Sequence, residues 1–237
     1  MSRALALRDT WNRRTTTWHN HVVNSSAFDA VRERVVDKAG LTGVERIVDL
    51  GAGTGFLSLA LAPRAGDVLA VDLSDAMLAV LKKDAEADHR ANVRTRMADL
   101  STFDLPAVSV DLVVSNYALH HLVDDDKRML VARMRTWLTP GGRVVLADMM
   151  FGRGRTARDR QVIWAKVNAL LRKGPGGVWR LAKNLVRFGL ARGSELPASP
   201  EFWVRAFEDA GFLDVRFEPI VAEAGLVTAT VGPAAAT

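Results

Sequence analysis

Between residues 46 and 149, short apolar runs alternate with segments of helical periodicity, and this alternation leaves few possible folds. The runs are RIVDL (46–50), VLAVDL (68–73), VRTRMA (93–98), VDLVVSN (110–116) and RVVLADM (143–149). Strands that alternate with helices predict a parallel sheet with right-handed crossovers. Because the runs are nearly continuous in apolar residues, we expect helices to cover both faces of that sheet.

Two segments do not follow the alternation. Residues 1–25 are polar and aromatic, and residues 151–197 contain two basic amphipathic patterns separated by Gly-Pro-Gly-Gly. After them, SPEFWVRAFEDAGF predicts a capped helix, and FLDVRFEPI and GLVTATV predict a closing pair of strands. We therefore interpret residues 1–237 as a single domain. In it, we expect residues 1–25 to form an N-terminal cap and residues 151–197 a basic helical insertion, which together form a lid.

The composition excludes several classes of protein. The 237 residues include no cysteine, which excludes disulfides, thiolate metal sites and a cysteine nucleophile. No apolar run approaches the roughly 20 residues that span a bilayer, and the N-terminus lacks the apolar core of a secretory signal, so we expect a cytoplasmic protein. The whole chain has a net charge of +5, whereas residues 151–193 alone hold eleven Arg or Lys and one acid, a charge of about +10. Such a local block indicates a local partner or a solvated surface, not a general nucleic-acid coat.

A glycine loop, Gly51-Ala52-Gly53-Thr54-Gly55, follows the first predicted strand. Glycines allow the backbone to turn tightly and to approach a ligand, while the next helix presents free N–H groups. The dinucleotide-binding pattern G-x-G-x-x-G would need glycine where this chain has Phe56. A phosphate-binding P-loop is excluded because the loop has no lysine.

Acidic residues lie at or just after the ends of the first three strands. Asp49 precedes the glycine loop, Asp72 ends the second strand, and Asp99 follows the third. In open α/β sheets, ligands bind outside the carboxyl ends of the strands, and a carboxylate after the second strand accepts ribose hydroxyls. Each acid alone could simply cap a turn or a helix. As an ordered set, the three acids predict a nucleoside site.

The ordered stretches VDLGAGTGFLSLALA, AVDLS, MADL, DLVVSNYALHHL and LTPGGRVVLADM resemble the class I S-adenosylmethionine-dependent methyltransferases. The resemblance implies an α/β fold: a Rossmann-like, doubly wound, seven-stranded sheet, mostly parallel, with an antiparallel last strand. It implies S-adenosyl-L-methionine as cofactor and S-adenosyl-L-homocysteine as product. It places Asp72 on the ribose, Asp99 on the adenine amino group, and Asn116 near the methionine end. The residues it implies as cofactor-binding are Asp49, Gly51, Ala52, Gly53, Gly55, Asp72, Leu73, Met77, Met97, Ala98, Asp99, Leu100, Asn116 and Tyr117.

Two adjacent histidines follow the fourth strand. The pattern ALHHL, together with a next strand that ends in Asp148, resembles methyltransferases of quinones, sugars and secondary metabolites. In some sugar O-methyltransferases the corresponding histidine and aspartate perform acid–base catalysis, which implies catalytic roles for His120 and Asp148. The sequence does not show whether His120 or His121 faces the site, and both could instead have local structural roles. We expect no metal site, because VDDD at 123–126 is explained as an acidic helix start.

The function that these features predict is methyl transfer from S-adenosylmethionine to a small-molecule acceptor, with a hydroxyl as the expected target. A first alternative is a membrane-associated lipid or quinone acceptor, since basic helices with Trp and Phe can lie on an anionic membrane surface. A second is RNA methylation. However, NYAL (116–119) departs from the Asn-Pro-Pro-aromatic signature of methyltransferases that act on exocyclic amines of bases or on glutamine, which argues against a nucleic-acid partner. A third is a non-catalytic cofactor-binding regulator.

The N-terminal cap and the basic insertion are the expected lid over the acceptor. Their aromatic residues, which could line an acceptor pocket or simply form helix cores, are Trp11, Trp18, Phe151, Trp164, Trp179 and Phe188. The acceptor, the methylated atom and the oligomeric state stay open.

Overall fold

A computed structural model describes residues 3–152, 157–172, 174, 176, 195–221 and 223–233. Its strands form one seven-stranded sheet in the order β3-β2-β1-β4-β5-β7-β6. Strand β7 is antiparallel to both of its neighbours, and the other neighbouring pairs are parallel. This confirms the predicted Rossmann-like sheet. The strands are β1 (Arg46–Leu50), β2 (Asp67–Asp72), β3 (Val93–Met97), β4 (Val110–Asn116), β5 (Leu138–Met149), β6 (Leu213–Pro219) and β7 (Ala224–Thr230).

The helices begin at the polar residues that the sequence offers as caps. Ser74 Oγ accepts a hydrogen bond from the Met77 N–H at the start of α4, and Ser199 Oγ accepts one from the Phe202 N–H at the start of α7. Each bond satisfies an amide that has no partner inside the helix. The helices are α1 (Arg3–Val23), α2 (Ser26–Ala39), α3 (Ser58–Leu61), α4 (Asp75–Ala87), α5 (Asp124–Trp137), α6 (Ala157–Leu171) and α7 (Pro200–Asp209).

Both faces of the sheet are buried, which explains why the strands read as continuous apolar runs. On one face, Val113 of β4 belongs to a core that includes Trp137 and Trp203. On the other face, the neighbouring Val114 packs in a core with Val35 of α2. Burying a side chain of this size stabilises the fold by about 1.5–3 kcal/mol. The two cores hold the carboxyl ends of β1, β2 and β4 at a common edge.

Two elements differ from the sequence prediction. The run FLSLALA (56–62) before Pro63 predicts a helix, but α3 is only four residues long and continues as a 3₁₀ turn, Ala62–Arg64, that contains Pro63. Strand β5 starts at Leu138 rather than at Arg143. The Pro-Gly-Gly turn that the sequence predicts lies inside this strand, at an irregularity in its pairing with β4.

The segment between β5 and α7 corresponds to the predicted basic insertion. Its first predicted helix is present as α6, and the second, over residues 178–190, lies outside the described residues. No helix in the described ranges is both long enough and apolar enough to cross a membrane. The division into a single domain with a cap and an inserted lid stays a prediction.

Candidate active site

A cavity lies at the carboxyl ends of β1, β2 and β4, where the predicted nucleoside site was expected. Its floor is the glycine loop, whose Gly51 and Ala52 N–H groups both donate to the Val71 carbonyl, at 2.7 and 3.0 Å. Gly51 has φ +77°, and a Cβ there would lie 2.1 Å from the Cβ of Ala118. Only glycine fits, because the loop after β1 touches the loop after β4 at this point. The lining residues are Leu7, Trp11, Trp18, Val22, Phe28, Asp49, Gly51, Ala52, Gly53, Thr54, Phe56, Leu57, Asp72, Leu73, Met77, Asp99, Leu100, Asn116, Tyr117, Ala118, His121 and Leu122.

Asp72 joins two loops at the end of β2. Its Oδ2 accepts a hydrogen bond from the Gly53 N–H, and its Oδ1 accepts one from the Ser74 N–H, each at 2.8 Å. Burial raises the pKa of Asp72, and the bonds from Ser74 and Gly53 oppose that shift. A carboxylate offers about four acceptor positions. The side chain therefore keeps acceptor capacity toward the cavity after both bonds are made.

Asp49 is a nearly fully buried carboxyl group at the end of β1. Burial raises its pKa to about 7, and the charge of Asp72 adds to the rise. Ser58 Oγ donates to Asp49 Oδ2 at 2.6 Å, which opposes the rise by stabilising the carboxylate. Asp49 therefore exchanges its proton near neutral pH, within the cavity wall.

Asp49→Asn should change how the free energy of unfolding depends on pH. In the unfolded chain the carboxyl ionises near pH 3.9. In the folded protein its pKa is about 7. The stability that this raised pKa contributes is present below about pH 4 and is lost as the pH rises to 7. Since asparagine does not ionise, we expect Asp49→Asn to be more stable than the native protein by about 2–4 kcal/mol at pH 8 but only by about 1 kcal/mol at pH 4.5.

Urea denaturation at the two pH values measures this difference. Asp125→Asn is the matched control, because the Asp125 side chain is 91% exposed. A stability change for Asp49→Asn that is equal at both pH values would contradict a carboxyl that titrates near neutrality.

Asn116 and Tyr117 line the cavity at the end of β4. The Asn116 Oδ1 atom is buried and has no hydrogen-bond partner among the described residues. An unpaired buried acceptor costs about 1–3 kcal/mol, so this position suits a ligand that brings an N–H donor. Tyr117 has φ +51°, a strained backbone of the kind that collects at functional sites. Burial raises the pKa of its phenol.

His120 and Asp148 come together, as the sequence predicted, from the 3₁₀ turn Leu119–His121 and the end of β5. His120 Nδ1 lies 2.5 Å from Asp148 Oδ1, and the His120 backbone N–H donates to Asp148 Oδ2 at 3.0 Å. Asp148 is fully buried, and His120 is 6% exposed. A hydrogen bond from the imidazole to a carboxylate, which can only accept, requires a proton on Nδ1.

The two histidines have different positions. His121 lines the cavity, with its ring centroid 5.3 Å from that of Trp11. The His120 ring lies beside it, at 4.1 Å between centroids, and is not part of the cavity lining. The sequence alone left open which histidine faces the site. In the structure His121 borders the cavity, and His120 stands next to it against Asp148.

Helix α1 forms one wall of the cavity, a role that only its aromatic residues signalled in the sequence. Leu7, Trp11, Trp18 and Val22 lie on one face of the helix and line the cavity. Asn12 fixes this helix to the turn after β2, since it accepts a bond from Ser74 Oγ at 2.6 Å. The other aromatic candidates do not join the wall: Trp164 is 63% exposed, Phe151 is half-buried, and Trp179 and Phe188 lie outside the described residues.

Three of the residues predicted to bind the cofactor do not line the cavity. A Cβ at Gly55 would lie 2.7 Å from Leu81 Cγ, so this glycine allows α4 to pack closely against the loop. Met97 is 53% exposed because β3 is an edge strand and Met97 is its last residue. Ala98 packs against the core instead. Met97 and Ala98 therefore lie outside the cavity lining, and their part in cofactor binding stays a prediction. The remaining predicted cofactor residues all border the cavity.

Comparison with known proteins agrees with this architecture. Residues 47–142 match the model of a family described as a methyltransferase domain. Over 144 residues the chain is 33% identical to an uncharacterized methyltransferase of Bacillus licheniformis, covering 61% of this chain and 63% of the relative. Over 109 residues it is 36% identical to phosphoethanolamine N-methyltransferase 1 of Triticum aestivum, covering 44% of this chain and 21% of that protein.

Among solved structures, an S-adenosylmethionine-dependent methyltransferase from Mesorhizobium loti superposes with a TM-score of 0.63. The two chains are 22% identical, with 88% of this chain and 99% of the other covered, so the likeness concerns the fold. Residues 47–142 thus match a methyltransferase domain, and the sequence and the sheet agree with the resemblance to the class I S-adenosylmethionine-dependent methyltransferases. The chain spans just over three fifths of the length of several curated relatives that it matches.

Proposed function

We propose that the protein transfers the methyl group of S-adenosylmethionine to a hydroxyl group of a small molecule. The observation that carries this proposal is the buried His120–Asp148 pair beside the cavity. A hydroxyl must lose its proton as the new O–CH₃ bond forms, whereas a neutral amine can attack first and lose its proton later. A histidine held by a carboxylate is suited to the first case.

The cavity residues fit the cofactor. Asp72 would accept the ribose hydroxyls, Asp99 the adenine amino group, and the unpaired Asn116 Oδ1 would accept an N–H from the methionine end. The glycine loop lies beneath these groups and allows the ligand to approach the backbone. S-adenosylmethionine supplies a methyl group that its sulfonium charge already activates, so the protein needs no nucleophile of its own.

The chain itself would align the acceptor, exclude water and remove the proton. His120 Nε2 would accept the hydroxyl proton, while Asp148 holds the Nδ1–H tautomer and stabilises the imidazolium that forms. The aromatic side chains of α1 would keep water from the reaction, which strengthens electrostatic interactions inside the site. Leu196, at the exit of the predicted lid, donates its N–H to the His120 carbonyl at 2.6 Å. The lid therefore ends beside the proposed base, where an acceptor is needed.

Mass spectrometry with methyl-deuterated S-adenosylmethionine tests this function. The acceptor panel should contain matched pairs that differ only in a hydroxyl or an amino group on the same skeleton, both aromatic and aliphatic. We expect labelled methyl on the hydroxyl members, with one S-adenosylhomocysteine formed for each product. Methylation confined to the amino members would establish N-methylation instead. Tight binding of S-adenosylhomocysteine without any product across the panel would support a non-catalytic regulator.

A further inference from the structure

Lys127, on the first turns of α5, is a fully buried cation that no sequence motif signals. Its Nζ donates to the carbonyl of Leu196 at 2.5 Å and to Asp124 Oδ1 at 2.8 Å. The Asp124 side chain is 59% exposed, so the buried partner of the ammonium is the Leu196 carbonyl. The ring of Phe202 lies 5.7 Å away. Burying a charge is costly unless it is well paired, and an apolar residue would fill this space at a lower cost.

Leu196 is held at both of its backbone polar groups. Its carbonyl accepts from Lys127, and its N–H donates to the His120 carbonyl at 2.6 Å. Two residues further on, Ala198 forms a parallel bridge with Met150, just after the strand that ends near Asp148. The short segment 196–198 is therefore bonded to His120 at one end and paired with Met150, two residues after Asp148, at the other.

The turn that carries His120 has little support of its own. It is a three-residue 3₁₀ helix, closed by the bonds from His121 N–H to the Ala118 carbonyl and from Leu122 N–H to the Leu119 carbonyl. Asp148 holds the imidazole and the amide of His120, and Leu196 holds its carbonyl. If Lys127 were apolar, the Leu196 carbonyl would lose the ammonium donor, and we expect the segment to shift toward another donor.

We propose that Lys127 is a positioning residue for His120 and acts through Leu196. The link fixes the orientation of the imidazole, and it also joins the exit of the 151–197 insertion to the base. The inference rests on the proposed function only for the claim that His120 takes a proton. The connection from Lys127 to His120 is testable without any acceptor.

Lys127→Met removes the donor and keeps an unbranched chain of similar length. In protein labelled with ¹⁵N-histidine, long-range ¹H–¹⁵N spectra of the native protein should show His120 as a single tautomer with its proton on Nδ1. In Lys127→Met we expect the His120 resonances to shift or broaden toward a mixture of tautomers. The exposed His89 serves as the internal reference and should not change. Asp124→Asn is the matched control, because it removes the ion pair and leaves the bond to Leu196 in place.

The kinetic readout separates positioning from stability. At a temperature where both proteins are folded, Lys127→Met should lower kcat about 10–100-fold with the hydroxyl acceptor found in the panel, while S-adenosylhomocysteine affinity stays within about twofold. Leu196→Pro removes the N–H from the other side of the link. It should reproduce the His120 shift even if Lys127→Met fails to fold.

The proposal would be overturned if the His120 resonances stayed native in Leu196→Pro, and in Lys127→Met where that variant folds. It would also be overturned if Asp124→Asn shifted the His120 resonances as much as Lys127→Met does. If the His120 resonances move but the native protein methylates no hydroxyl acceptor, the link stands and the proposed function fails.

Discussion

His120→Asn should lower methyl transfer to a weakly acidic hydroxyl about 10²–10⁴-fold, with S-adenosylhomocysteine affinity unchanged. The asparagine amide can take the place of the Nδ1–H group and keep the bond to Asp148, so the buried carboxylate is not left without a donor. It has no equivalent of Nε2, the nitrogen that would accept the proton. Cofactor affinity should persist because His120 does not line the cavity. Single-turnover rates and calorimetry measure the two quantities separately.

Acceptors whose hydroxyl groups differ in acidity test whether His120 acts by proton transfer. A phenol that is already ionised at the assay pH needs no base, so His120→Asn should methylate it at close to the native rate. The loss of activity should therefore grow as the acceptor becomes less acidic. His121→Asn is the matched control: it removes a ring from the cavity wall and should affect binding, without this dependence on acidity. An equal loss for acidic and weakly acidic acceptors would show that His120 contributes through structure and not through proton transfer.

The fold and most of the cavity lining were predictable because their signals are local. Strands buried on both faces read as apolar runs, and the carboxyl ends of such strands carry the ligand groups. Asp49 and Asp72 could be located from the sequence because each lies at the carboxyl end of a predicted strand. His120 and Asp148 were paired across neighbouring strands for the same reason, since β4 and β5 lie side by side.

The residues that the sequence did not reveal depend on contacts between distant segments. Lys127 looks like a surface residue of a charged helix, and its burial follows from a bond to Leu196, 69 positions away. Trp18 fits either a helix core or a pocket wall until α1 is docked on the cavity. Met97 lies outside the cavity lining because its strand is at the edge of the sheet, where its side chain is 53% exposed. Sequence periodicity indicates that a residue can be buried, but it does not indicate which other segment that residue contacts.

Gly51→Ala should both destabilise the protein and weaken cofactor binding, because the new Cβ would clash with Ala118. Gly141→Ala is the control that separates this clash from the cost of the backbone conformation. Gly51 and Gly141 have almost the same backbone, with φ +77° and +78°. A Cβ at Gly51 would lie 2.1 Å from Ala118 Cβ, whereas a Cβ at Gly141 would meet no atom of the described residues within 4 Å. Both alanine variants have the cost of a left-handed backbone, about 1–2 kcal/mol. Only Gly51→Ala adds overpacking, typically about 1–3 kcal/mol.

We therefore expect Gly51→Ala to lower the free energy of unfolding by about 2–5 kcal/mol, against about 1–2 kcal/mol for Gly141→Ala. Urea denaturation gives these values, and calorimetry with S-adenosylhomocysteine should show weaker binding for Gly51→Ala alone. The clash is between two Cβ atoms, so adding Ala118→Gly should recover the overpacking part and appear as a favourable coupling in a double-mutant cycle. Equal costs at the two glycines, or zero coupling with Ala118, would mean that the two loops separate easily. In that case the contact between the cofactor loop and the turn before His120 would not hold the two halves of the site together.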